Sequence, residues 1–72
     1  MEYTLEIDEI LSYKVTATCA VQDGKEFIHH YNIRTQEGEV VSQNYNSLSE
    51  PVRLLRELEE YVTRQRVVNQ AA

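Results

Sequence analysis

Seventy-two residues leave room for one hydrophobic core and no second domain, and a chain this short buries only about 60% of the surface its unfolded form exposes. Seven basic residues against twelve acidic ones give a formal net charge of −5, which disfavours nonspecific nucleic-acid binding, since that affinity comes largely from neutralising phosphates. A single cysteine, Cys19, excludes an intramolecular disulfide and a four-thiolate zinc site.

In chain order, the first nine residues carry Glu2, Glu6, Asp8 and Glu9 with no basic neighbour. This acidic, alternating start lacks the basic-then-apolar pattern of a signal peptide. No stretch approaches the ~20 apolar residues of a membrane helix, and a lone thiol suits a reducing compartment. The expected setting is therefore cytoplasmic, without membrane association. Tyr3, Leu5 and Ile7 share a parity that continues through Leu11 and Tyr13. Two readings stay open: one bent strand from Tyr3 to Val21, or two strands divided by a corner near Asp8-Glu9. The adjacent apolar residues Ile10 and Leu11 break strict alternation, and the two-strand reading is preferred.

From Leu11 to Val21 the odd positions are Leu11, Tyr13, Val15, Ala17, Cys19 and Val21, and the even ones are mostly polar. A period of two with many β-branched residues predicts a strand with one buried face. Asp23-Gly24 then predicts a tight hairpin, closed through Gln22 and Lys25. The chain resumes with Phe27, His29, Tyr31, Ile33 and Thr35 expected on one face, and Glu26, Ile28, His30, Asn32 and Arg34 on the other. Gln36-Glu37-Gly38 marks a second turn, and Glu39 to Asn44 or Tyr45 reads as a shorter strand.

After a loop, Ser49 is placed to cap a helix over about residues 50–66, with Pro51 tolerated in its first turn. Val52, Leu55, Leu58 and Val62, broadened by Leu54 and Tyr61, form its apolar stripe, with Leu58 expected as a core anchor. Residues 67–72 have no clear stop signal and are expected to fray. The fold class is α+β: an antiparallel meander of three or four strands over about residues 1–45, then one C-terminal helix packed on one sheet face. The whole of 1–72 is a single domain. The other face, with Thr16, Thr18, His30 and Arg34, is expected to meet water.

Function is narrowed mostly by exclusion. His29-His30 is conspicuous, but neighbouring strand residues point to opposite faces, and no carboxylate or nucleophile accompanies the pair. Cys19 has the buried parity, with no adjacent cation to activate it. Gly24 and Gly38 are isolated turn glycines, so no nucleotide loop is present, and the metalloprotease and nucleophile-elbow patterns are absent. The arginines Arg53, Arg56, Arg64 and Arg66 alternate with acids, as on an ordinary solvated helix face.

No catalytic, metal or cofactor-binding residue is assigned, and no cofactor is expected. The sequence supports a small protein-interaction or regulatory module that binds a larger protein, one carrying a basic surface to meet the acidic N-terminus. A nucleic-acid-associated accessory module is the alternative, and a small enzyme is the least supported reading. The candidate partner contacts are Glu2, Glu6, Tyr45, His30 and Arg34. Homodimerisation is expected because the core is short and the sheet leaves an edge, with pairing along Glu39–Tyr45 or a mixed interface preferred to stacking around Ile28.

Overall fold

Two turns of two residues each shape the sheet. A computed structural model describes residues 1–71, with side chains as far as Arg66. It contains β1 (Glu2–Ile10), β2 (Tyr13–Gln22), β3 (Lys25–Arg34) and α1 (Ser49–Ala71). The strands pair antiparallel in the order β1-β2-β3, so the fold is the expected α+β meander with a C-terminal helix. Both turns hold their two central residues at positive φ: Leu11 at 55° and Ser12 at 68°, Asp23 at 55° and Gly24 at 74°. This geometry matches the right-handed twist of the flanking strands. The second turn falls on Asp23-Gly24, as the sequence predicts.

The N-terminal segment is indeed two strands, but they divide at Leu11-Ser12 and not near Asp8-Glu9. What lies near the expected corner is a β-bulge: the register jumps between Glu6 and Asp8, leaving Ile7 without a partner. A second jump leaves His29 unpaired, between His30 opposite Thr18 and Ile28 opposite Cys19. One extra residue moves every later side chain to the other face. Ile28 therefore joins Tyr31 and Ile33 on the face of Val15, Ala17 and Cys19, while Phe27 crosses to the face of Ala20. The expected grouping of Phe27 and His29 with Tyr31 and Ile33 is thus corrected.

Beyond β3 the chain returns alongside it without forming a regular strand. Two isolated bridges, Arg34 to Val40 and Tyr31 to Tyr45, replace the shorter strand expected over Glu39–Tyr45. Asn32 fastens this return. Its Nδ2 donates to the Gln43 carbonyl at 3.1 Å and to Asn44 Oδ1 at 2.8 Å. The Ile33 N–H donates to Ser42 Oγ at 2.8 Å.

The helix opens at Ser49, with the Val52 N–H reaching the Leu48 carbonyl at 3.4 Å. Leu48 therefore holds the capping position assigned to Ser49, whose hydroxyl meets that of Ser47 at 2.9 Å. Pro51 sits in the first turn, where its missing N–H leaves no bond unmade. The core comprises Ile10, Val15, Ile33 and Leu55, flanked by Leu11, Tyr13, Tyr45, Leu48 and Val52. Leu55 is 3% exposed and Leu58 is 42% exposed, so Leu55 is the helix anchor and the expectation for Leu58 is corrected. The apolar stripe is broad enough to permit either roll of the helix, and packing through Leu48, Val52 and Leu55 decides it. The helix continues to Ala71, past the stop expected near Arg66. The tail expected to fray, residues 67–72, lies outside the residues whose side chains are described.

The sheet face away from α1 is not simply wet. Thr16, Thr18 and Asn32 are buried there, contrary to expectation for the two threonines. They lie on or beside the central strand, and longer neighbours close over them. Arg34 Nε donates to Thr16 Oγ1 at 3.1 Å, and that hydroxyl donates to the Asn32 carbonyl at 3.4 Å.

Candidate interaction surface

Helix α1 rests on the end of the sheet that holds Ile10, Val15 and Ile33. The opposite end, where β1 begins and the Asp23-Gly24 hairpin closes, extends beyond the helix as an arm. The molecule is correspondingly long, with extents of 60 × 22 × 16 Å. On the helix-facing side of this arm, Tyr3 lies opposite Cys19 and Leu5 opposite Ala17 on β1–β2, and Ile28 lies opposite Cys19 on β3. No helix covers them. Leu5 is 49% exposed and Ile28 48% exposed, yet the Cys19 between them is buried.

Tyr3, Leu5, Cys19, Glu26, Phe27 and Ile28 enclose a shallow recess of about 260 Å³. Cys19 is its floor, a free thiol shielded by larger neighbours. Partial burial raises the Tyr3 phenol above its ordinary pKa, and the negative charge of Glu26 adds to the effect. Glu26 gives the rim an acidic group, whereas Glu2, opposite Ala20, lies on the other sheet face.

The five residues singled out from the sequence do not form one cluster. Glu2, Glu6, His30 and Arg34 share the sheet face turned away from α1, spread along its length by the strand register. Glu6 meets Lys14 at 3.6 Å. Arg34 serves the fold, with Nη1 donating to the Gly38 carbonyl at 2.9 Å in addition to its bond to Thr16. Tyr45 lies on the other side, half-buried against the core and beside Glu50, Arg53, Leu54 and Glu57 of the helix. Sequence parity misses Leu5 and Ile28 as a pair because the unpaired His29 moves Ile28 onto the face of Leu5. Nothing in the residue types marks that bulge.

The same bulge brings His29 and His30 together. Their Nδ1 atoms are 2.8 Å apart, with the rings edge to face at 5.1 Å between centroids. One ring must donate and the other accept, so the contact requires at least one Nδ1 to be unprotonated. Among the described residues, no three His, Cys, Asp or Glu side chains are grouped as a metal site. No described helix is long and apolar enough to cross a membrane.

Three cations are engaged by acids: Lys14 with Glu6, Arg56 with Asp8 and Glu59, and Arg64 with Glu60. Compared with protein-family models, with curated proteins and with solved structures, the chain matches none.

Proposed function

We propose that this chain is a small protein-interaction module that acts by binding a larger protein through the uncovered arm of its sheet, and that it works as a homodimer. The observation carrying the reading is the pair Leu5 and Ile28, two large aliphatic side chains half exposed on either side of the buried Cys19. Apolar surface of this kind, framed by polar residues, is characteristic of contact sites. The partner that fits is a protein offering an apolar ridge flanked by a basic side chain, which would meet Glu26 on the rim. A shielded free thiol suits a reducing, cytoplasmic setting. The nucleic-acid reading draws less support, because the net charge is −5 and three of the cations are paired with acids.

The test compares the wild-type chain with the double variant Leu5→Ser/Ile28→Ser as bait in an extract of the native host. Both residues are half exposed, so the fold should survive, and circular dichroism verifies this. A protein retained by the wild type and lost from the folded variant supports the reading. Equal retention by both overturns the arm as the binding surface.

A further inference from the structure

The helix presents a second apolar surface, separate from the arm. Leu54, Leu58 and Tyr61 follow the four-then-three spacing of a coiled-coil seam. At about 100° per residue they fall within a narrow arc, turned roughly a quarter of a circle from Leu55. All three are exposed, Tyr61 to 60%, although Leu55 on the neighbouring arc is sealed in the core. Beside them lies a groove of about 320 Å³ between helix and sheet, lined by Tyr13, Ile33, Val41, Leu54, Leu55 and Leu58.

We propose that this seam is where two copies of the chain join, their α1 helices antiparallel about a two-fold axis between Leu58 and Tyr61. The inference rests on the homodimer part of the proposed function and assigns it a surface. In such a pair, Leu58 of each copy meets the partner's Tyr61, and the tyrosine ring enters the groove beside Leu58. The residues flanking the seam on its outer side are Glu57 and Arg64. Antiparallel symmetry sets Glu57 against the partner's Arg64, and does so twice. In a parallel pair Glu57 would instead face the partner's Val62, with no charge to meet. The self-complementary pair Glu57 and Arg64 thus favours a second copy, set antiparallel.

The surface area points the same way. The chain exposes 5382 Å², whereas a compact monomer of 8.4 kDa is expected to expose roughly 4,600 Å². The excess, roughly 800 Å², is shared between the uncovered arm and the helix, whose exposed apolar residues include Leu54, Leu58 and Tyr61. The segment Glu39–Tyr45, the candidate for edge pairing on sequence grounds, is unsuited to that role. It is an irregular return held to β3 by two isolated bridges.

Sedimentation equilibrium over a hundredfold concentration range, with circular dichroism on every variant, tests the proposal. The wild type is expected as a dimer. Glu57→Arg should weaken dimerisation roughly tenfold through two like-charge contacts, and adding Arg64→Glu should restore it. Tyr61→Ala, at an exposed site, should weaken it about thirtyfold, as loss of a hot-spot aromatic does. A wild-type monomer throughout the range overturns the homodimer reading itself. A dimer indifferent to Tyr61→Ala and to the charge reversal overturns the helix seam and leaves a dimer formed elsewhere, with the arm as its next location.

Discussion

Asn32 and Asn44 are joined by a 2.8 Å hydrogen bond that ties the returning chain to β3. The Asn32 side chain is buried and also donates to the Gln43 carbonyl, so removing it deletes two hydrogen bonds and empties a buried site. Asn32→Ala should cost about 1–3 kcal/mol. Asn32→Asp should cost more, because an ionised carboxylate would face two acceptors. Urea denaturation of both variants checks the order.

Leu55 should dominate the attachment of the helix. Leu55→Ala opens a cavity against Ile10, Val15 and Ile33, and is expected to cost about 2–5 kcal/mol. Leu54→Ala, at an exposed position, should leave the unfolding of the isolated monomer within about 0.5 kcal/mol of wild type. Equal losses at the two positions would contradict the roll of the helix.

The turn at Leu11-Ser12 departs from ordinary turn chemistry, since neither residue is glycine, asparagine or aspartate. Leu11 is retained in a left-handed conformation while its side chain packs on the core. Ser12 is exposed and has no such return. Ser12→Gly should stabilise the protein by about 0.5–1 kcal/mol by relieving the positive φ. Leu11→Gly should gain less or destabilise, because it loses core contact. Thermal melts of the two variants separate these outcomes.

Tyr3 gives a pH signature on the arm. Burial, with the Glu26 charge beside it, raises its pKa above the ordinary phenol value near 10. The folded state thus favours the neutral phenol. That contribution is fully present below the unfolded pKa near 10 and is lost as pH rises through the higher folded value. Wild type should lose stability above pH 10 more steeply than Tyr3→Phe. Glu26→Gln should lower the Tyr3 ionisation midpoint, read by ultraviolet absorbance.

The meander and the helix are legible in the sequence where periodicity is strict and turn chemistry ordinary. Alternation from Leu11 to Val21 and the Asp23-Gly24 pair predict β2, its hairpin and antiparallel β3, all of which are present. The first turn is hidden because Leu11-Ser12 carries no turn signature. The bulges at Ile7 and His29 are hidden because an unpaired residue leaves no compositional mark, yet each reverses the facing of the strand residues on its far side. The return at residues 39–45 reads as a strand from its valines, but isolated bridges and side-chain bonds from Asn32 and Ser42 hold it in place of a continuous ladder. The arm surface is therefore illegible in the sequence, since it depends on which face Ile28 occupies.

The most direct test of the arm as the binding surface is site-specific photocross-linking in the native host. A photoreactive residue is placed at Ile28 and, in a control, at Thr63, which is exposed on the helix. One dominant adduct with a larger protein is expected from Ile28, abolished by Leu5→Ser and absent from Thr63. The same adduct from both positions, or an Ile28 probe that captures no protein, would contradict it.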